Sequence, residues 1–244
     1  MNLTITIMAA GEGKRMKSNI PKVLHKFNNI PMLVKIINEC LTLKPEKILI
    51  ITGKFDSLIK DTLLEYLKEN YQKLIFVKQE IPNGTGDAIK ATLNYYNENE
   101  NILILNGDMP LIKSDLIKKF LNNSTEAKLM VSKLENPLGY GRILYENNKF
   151  IGIKEEKDCN EIEKKIDIVN IGIYLFSSNI LKNYIPKIDN NNAQKEYYLT
   201  DIVKIIIENT NINIDTYLVD NKDKYQTYGV NTKEELENLE KKYL

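Results

Sequence analysis

The sequence predicts an α/β fold built on a doubly wound, mostly parallel sheet, with a second half richer in strands. Three observations predict it. Short apolar runs alternate with amphipathic ones along the first part of the chain, the pattern of strands and crossover helices. Residues 48–51 and 102–105 are unbroken Ile/Leu runs, as strands covered on both faces require. Between them, Leu58, Ile59, Leu63, Leu64 and Leu67 fall on one stripe at the helical period.

The elements follow in order. Strands are expected at 3–8, 47–52, 74–77 and 101–105, with helices at 32–41, 56–71 and 86–95 between them. After a helix at 115–122 the pattern changes. Residues 128–134, 142–145, 150–154 and 169–176 read as strands with little helix between them, punctuated by Gly139, Gly141, Gly152 and Gly172. A helix at 198–208 and a strand at 215–219 follow. Thr232 and Glu235 form a capping box that opens a last helix with Leu236, Leu239 and Tyr243 on one face. The chain is expected to be a single domain over 1–244: a first half to about residue 110, a β-rich lobe over about 111–230, and a terminal helix at 231–244. It shows no internal repeat, and none of the hexapeptide kind that builds a parallel β-helix.

Composition excludes several classes. The 244 residues carry 34 Lys+Arg and 33 Asp+Glu, a net charge of +1, and 43% are hydrophobic. A general nucleic-acid binder would show a basic excess, so cations at a site are a local arrangement. Cys40 and Cys159 make neither a metal pattern nor a disulfide scaffold, and a reducing, cytoplasmic setting is expected. The N-terminus lacks a charged region followed by an apolar one, and no apolar run approaches the length of a membrane span. The Asn clusters at 28–29, 122–123 and 190–192 sit between periodic segments and read as loops. The lone histidine, His25, cannot build a His-based zinc site.

The turn after the first strand carries the strongest chemical signal. Ala9-Ala10-Gly11-Glu12-Gly13 runs into Lys14, Arg15 and Lys17, with Lys22 behind Pro21. It is not a P-loop, because no second glycine stands at P-loop distance. It is not a dinucleotide fingerprint either, because Met16 holds the place of the third glycine. What remains is a glycine turn able to expose backbone N–H groups to an anion. Beside it stand a guanidinium fork and a movable ammonium. Alone, such a turn also fits an ordinary strand-to-helix connection with surface cations.

Further segments add to it. Residues 102–108 run as a buried strand into Gly107-Asp108, at the carboxyl end where α/β sheets bind ligands. Asp108 there suits a cation or a helix cap. Gln79 precedes Gly84-Thr85-Gly86 at the start of a helix. Thr85 reads as an N-cap, or the loop lays amides against a flat base. Gly139-Tyr140-Gly141-Arg142, with Glu155 and Asn170 downstream, brings polar groups to strand ends, which fits a sugar ring or plain hairpins. Asn231 offers a neutral oxygen just before the last helix. The stretch from Asn190 to Asp201 names no chemistry by its residues alone.

Together and in this order, the segments resemble the sugar-nucleotide pyrophosphorylases, and within them the uridylyltransferase domain of bacterial N-acetylglucosamine-1-phosphate uridyltransferases. The first loop resembles A-A-G-x-G-T-R-M…P-K-V-L-H, with Lys14 where Thr is usual. The Gln79 segment, Gly107-Asp108, the G-Y-G-R run and G-V-N at 229–231 match as well. The most specific match is N-N-N-A-Q-x-E-Y-Y-L-T-D at 190–201. Asn106 departs from a common Tyr, and Ile171 from a common Thr.

The resemblance implies a Rossmann-like, GT-A-like nucleotidyltransferase whose first half binds nucleotide and whose β-rich lobe binds sugar. It implies formation of UDP-N-acetylglucosamine and pyrophosphate from UTP and N-acetylglucosamine-1-phosphate. Arg15, Lys22 and Asp108 would be catalytic. Met8, Ala9, Ala10 and Gly11 would contact nucleoside and phosphate, and Gln79, Gly84 and Thr85 the uracil. Asn106 and Gly107 would line the ribose, and Gly141, Glu155 and Asn170 the sugar. Asp108 with Asn231 would hold Mg2+. The implied enzyme is a monomer or weak homo-oligomer. The relatives usually continue into an acetyltransferase β-helix, which is not expected here. The alternatives are transfer to another sugar-1-phosphate and a non-catalytic nucleotide-sugar-binding subunit. A glycosyltransferase of similar fold is disfavoured, because Asn106-Gly107-Asp108 lacks the Asp-x-Asp such enzymes carry.

Overall fold

A computed structural model describes residues 2–123, 125–147 and 149–244. In chain order the elements are β1 (Leu3–Met8), β2 (Lys26–Phe27), β3 (Ile30–Pro31), α1 (Met32–Leu41), β4 (Lys47–Thr52), α2 (Asp56–Leu67), β5 (Leu74–Lys78) and α3 (Thr85–Lys90). There follow β6 (Asn101–Asn106), α4 (Ser114–Leu121), β7 (Ala127–Lys133), β8 (Arg142–Glu146), β9 (Lys149–Lys154) and β10 (Ile168–Ser177). The chain ends with α5 (Ser178–Tyr184), α6 (Asp201–Asn209), β11 (Ile214–Leu218) and α7 (Lys233–Tyr243).

The predicted α/β class holds. Nine strands form one sheet in the order β11-β7-β10-β6-β1-β4-β5, with β8 and β9 branching off β10. Strands β6, β1, β4 and β5 are mutually parallel. The β-rich second half extends this same sheet: β10 lies antiparallel between β6 and β7, and β11 runs parallel to β7 at the edge. Only the β8–β9 hairpin leaves it, touching β10 where Arg142 pairs with Val169.

The unbroken apolar runs are explained by two buried faces. Ile5, Ile7, Ile48, Ile50, Leu103 and Leu105 belong to one core, which also receives α1, α2 and α4. Their alternates Leu49, Ile51, Ile102 and Ile104 belong to a second core, under α3, α5 and α6. This is the period-2 division of strand side chains. Two threonines fall on the second face of β1 and are satisfied there. The Thr4 hydroxyl donates to Glu100, and Thr6 shares a hydrogen bond with the Tyr96 hydroxyl. A third, smaller cluster joins Met16 of the first loop to Val230, Leu236 and Leu239 at α7.

Some boundaries moved for visible reasons. Helix α2 stops at Leu67, because Lys68 adopts φ +48 and the chain continues as a 3-10 segment to Lys73. Helix α3 covers only its first turns and is followed by a 3-10 turn at Leu93–Tyr95. Helix α5 was not foreseen, although Ser177 caps it by accepting the Ile180 N–H. Thr85 does not cap α3. Gly84, at φ +113, is the cap residue, and Thr85 opens the helix.

The topology sets where a site forms. Strand β1 is flanked by β6 on one side and β4 on the other, so strand order reverses there. The crevice outside the carboxyl ends at such a reversal is where open α/β sheets bind ligands. Met8 at the end of β1 lies beside Asn106 at the end of β6.

Candidate active site

Two adjoining cavities open at that reversal. One is about 300 Å³ and lies along the first loop; it is lined by Ala10, Gly11, Lys22, Gln79, Gly84 and Gly107. The other is about 640 Å³ and reaches towards the hairpin and α7; it is lined by Arg15, Gly141, Glu155, Asn170 and Asn231. Met8, Thr85, Asn106 and Asp108 line both. The structure thus brings together every site residue expected from sequence except Ala9. The Ala9 N–H donates to the Ile51 carbonyl at 2.9 Å, and its methyl is buried in the core.

The charged centre sits where the cavities meet. The Lys22 ammonium is paired with Asp108 Oδ2, and the two side chains are 17% and 15% exposed. Lys22 also donates to Asn231 Oδ1 at 3.0 Å, and Arg15 donates to the same oxygen at 2.9 Å. Asp108 Oδ1 is buried and has no hydrogen-bond partner among the described residues. A buried carboxylate oxygen left alone is costly, so the centre is complete only when something positive or donating meets it. Among the described residues, no group of three or more His, Cys, Asp and Glu could hold a metal ion. A cation between Asp108 and Asn231 would therefore find only two side-chain oxygens and would need further ligands.

The loop glycines have separate reasons. Gly13 has φ +64, and a Cβ there would come 2.5 Å from Lys22 Cβ. It lets the two ends of the loop close on each other and sets the root of Lys22. Gly84 and Gly86 answer instead to the 190s segment. A Cβ on Gly84 would meet the Tyr197 carbonyl oxygen at 2.5 Å, and one on Gly86 would meet it at 3.0 Å. Gly86 N–H donates to that oxygen, and Tyr197 N–H donates to Asn83 O. The Thr85 hydroxyl accepts the Leu199 N–H at 2.9 Å. Lys14 points to solvent, with its side chain 86% exposed.

Gln79 is held by its amide nitrogen. Nε2 donates to Gly84 O at 3.1 Å and to Asp87 Oδ2 at 2.8 Å. No hydrogen bond among the described residues engages Oε1, which leaves the acceptor end for a ligand. Asp87 sets that orientation, and sequence reasoning missed it. Its signal was its place in the first turn of α3, beside a loop already singled out.

The wider cavity sets the carboxylates Asp108, Glu155 and Glu235 in a largely apolar and aromatic wall. Glu155 accepts the Thr200 hydroxyl at 2.8 Å. Burial raises the Glu155 carboxyl above its usual range, and the Thr200 hydrogen bond partly offsets this. Burial pushes Asp201 up to about 6, helped by the charges of Glu155, Asp189 and Asp158. The Tyr140 hydroxyl is raised by burial first and by the Asp108 charge next. Asn170 donates to the Tyr174 hydroxyl at 2.7 Å and accepts the Gly172 N–H at 3.2 Å. It sits where the register of β10 slips, and Gly172 there has φ +77. A Cβ on Gly172 would strike the Asn106 amide at 2.3 Å. Ile171 is 2% exposed and packs in the core, yet it also lines the wider cavity, so its departure from Thr places an apolar side chain at the cavity wall.

Arg142 is not a ligand for substrate. It is fully buried and donates to the carbonyls of Lys164 and Tyr140, which shapes the loop carrying Gly141. The 190–201 stretch, mute by itself, proves to be the strap that closes the site. It docks Tyr197 and Leu199 on the start of α3, sets Thr200 on Glu155, and donates Ala193 N–H to Asp158.

The chain resembles known proteins over nearly its whole length. The nucleotidyl transferase family model matches residues 5–224. A protein of Acanthamoeba polyphaga mimivirus named "Probable UDP-N-acetylglucosamine pyrophosphorylase" is 46% identical over 244 residues, covering 98% of this chain and 95% of that protein. A bifunctional protein GlmU of a Nitratiruptor species is 40% identical over 242 residues, covering 98% of this chain, which spans 54% of that protein's length. A crystal structure of UDP-glucose pyrophosphorylase complexed with UDP-glucose superposes with a TM-score of 0.75 at 17% identity, over 100% of this chain and 98% of that one. That likeness bears on the fold. No helix among the described residues is long and apolar enough to cross a membrane.

Proposed function

The chain belongs to the nucleotidyl transferase family, and on that premise we propose that it joins UTP to N-acetylglucosamine-1-phosphate, forming UDP-N-acetylglucosamine and pyrophosphate. The name of the mimivirus relative supports this substrate pair. The observation that carries the reading is the convergence of Arg15, Lys22 and Asp108 around Asn231, with Asp108 Oδ1 left uncommitted.

The chemistry asks little of proton transfer. A phosphate oxygen of the sugar-1-phosphate attacks the α-phosphorus of UTP in line. The bond from that phosphorus to its bridging oxygen breaks, and the electron pair leaves with pyrophosphate. The nucleophile is already an anion, so no general base is required. Rate comes from alignment and from neutralising charge on the triphosphate. Arg15 presents a planar fork to phosphate oxygens, and Lys22 a point charge that can follow them. Gln79 Oε1 accepts the imide N–H of uracil, a donor that cytosine lacks. Glu155, Asn170 and the Gly141 backbone hold the sugar, with Glu155 accepting from a hydroxyl.

Asp108 and Asn231 suit Mg2+, which is commonly bound through one or two carboxylates and completes its shell with phosphates and water. Bound there, it supplies positive charge to the triphosphate. The uncommitted Asp108 oxygen supports this fit, and Lys22 releases Asp108 as it turns to the phosphates.

The test is pyrophosphate release from UTP with N-acetylglucosamine-1-phosphate, with and without Mg2+, against glucose-1-phosphate and dTTP. Mg2+-dependent release, fastest with the proposed pair, is expected. No release with any pair would sink the reading.

A further inference from the structure

Asn231 accepts hydrogen bonds from both Lys22 and Arg15, yet its side chain hangs from a turn in front of α7. What holds that turn decides where its oxygen lies. On one side, Val230 N–H donates to the Asp108 carbonyl at 2.9 Å, and the Val230 side chain is buried against Met16 and Leu236. On the other side, Thr232 caps α7 by accepting the Glu235 N–H at 3.1 Å. In a capping box the glutamate would return its carboxylate to the N–H of the cap residue itself. Here it reaches one residue further. Glu235 Oε2 accepts the N–H of Asn231 at 2.6 Å.

We propose that Glu235 is a positioning residue that fixes the backbone of Asn231, so that Asn231 Oδ1 faces Lys22, Arg15 and the cation paired with Asp108. This rests on the proposed function of the site. The bond is short and charge-assisted, the stronger kind. It clamps the one backbone donor nearest the functional side chain. The helix itself does not need it, because Thr232 already supplies the cap. The two interactions start from the same turn but serve different ends, so they can be separated. Thr232 stabilises α7, and Glu235 aims Asn231.

The experiment follows Mn2+ binding in the presence of UTP, without sugar phosphate, by loss of the free-ion EPR signal. It compares the wild type with Glu235→Ala, Glu235→Gln and Thr232→Ala, and records thermal unfolding alongside. Glu235→Ala weakens Mn2+ binding about fivefold, the factor one net hydrogen bond carries. Glu235→Gln keeps a neutral acceptor and falls between that variant and wild type, within about threefold of wild type, because the bond remains without its charge. Thr232→Ala unfolds earlier but binds Mn2+ like wild type. The proposal is overturned if Glu235→Ala binds as wild type, if Thr232→Ala weakens binding equally, or if Glu235→Gln fails to rescue. A wild type that neither binds Mn2+ with UTP nor releases pyrophosphate removes the underlying reading of the site as well. An active wild type with an indifferent Glu235 removes the positioning role alone.

Discussion

Replacing Lys22 with methionine should move metal binding and catalysis in opposite directions. The Lys22 ammonium is paired with Asp108 and bonded to Asn231, the two residues assigned to the cation. It therefore stands where a divalent ion would need to come. Unit charges about 4 Å apart interact with about 4 kcal/mol at an effective dielectric of about 20, and a divalent ion doubles that. Asp108 Oδ1 is uncommitted, but the ammonium occupies Asp108 Oδ2 and Asn231 Oδ1, so in the absence of nucleotide the lysine must be displaced before an ion can use both residues. Losing hydrogen bonds to charged groups costs about 1.5–3 kcal/mol. Methionine removes that cost while keeping most of the length and apolar stem of lysine. Nucleotide-free Mn2+ binding, followed by EPR, should tighten about 10- to 100-fold, at about 1.4 kcal/mol per decade. Turnover should fall by about 10²–10³, the range for losing one preorganised group that stabilises developing charge. Thermal unfolding adds a check by linkage, since a ligand bound only to the native state raises its midpoint. Mn2+ should therefore raise the variant's midpoint more than the wild type's. If the variant binds Mn2+ no more tightly than wild type without nucleotide, Lys22 does not hold the ion's place. If turnover stays within about tenfold, well short of that range, its phosphate role is wrong.

Three further outcomes test other parts of the site. Gly84→Ala drives a Cβ into the Tyr197 backbone at a φ of +113; it should cost about 2 kcal/mol or more in chemical denaturation and raise the KM for UTP. Glu155→Gln should raise the KM for the sugar phosphate about tenfold, the worth of a charged hydrogen bond, while leaving the KM for UTP unchanged in steady-state kinetics. Asp201 has its native pKa raised to about 6, so the folded state holds that proton more tightly than the unfolded chain does. Its contribution is most favourable below the unfolded carboxylate range and is lost as pH rises through about 6. Asp201→Asn should therefore be near neutral at pH 4 and stabilising at pH 7.5, by about 1 kcal/mol once partial solvation is discounted, in urea unfolding at the two pH values.

The parts of the fold that were legible share one physical cause. Strand β4 was read to the residue because its short, Ile-rich run is buried on both faces, as a central parallel strand requires. Helix α1 was read to the residue as well. The errors lie where local pattern and tertiary pairing part company. The strands after residue 127 were legible one by one, but not their membership of a single sheet. Whether β10 inserts between β6 and β7 is settled by contacts between distant segments, and each strand's own periodicity is silent on it. Helix α5 was hidden because its cap, Ser177, is also the last residue of a long strand.

The site divides along the same line. Arg15, Lys22, Asp108 and Asn231 could be singled out because each role proposed for them is carried by its own side chain, and the structure brings the four together, although the Arg15–Asn231 bond spans 216 residues of sequence. Residues that act through another were not legible. Asp87 orients Gln79, Thr200 meets Glu155, and Glu235 grips Asn231; each is an ordinary surface or helix-start residue until its partner is seen. The glycines show how a correct motif can carry an incomplete reason. Gly84 and Gly86 look like a loop shaped for a flat base. Their missing side chains make room for the Tyr197 backbone, and through it for the strap that brings Thr200 to Glu155. The loop proposed for the base and the carboxylate proposed for the sugar are thus built on one shared contact. A disturbance at Gly84 should consequently be felt at the sugar as well as at the uracil, and Gly84→Ala should raise both KM values where Glu155→Gln raises one.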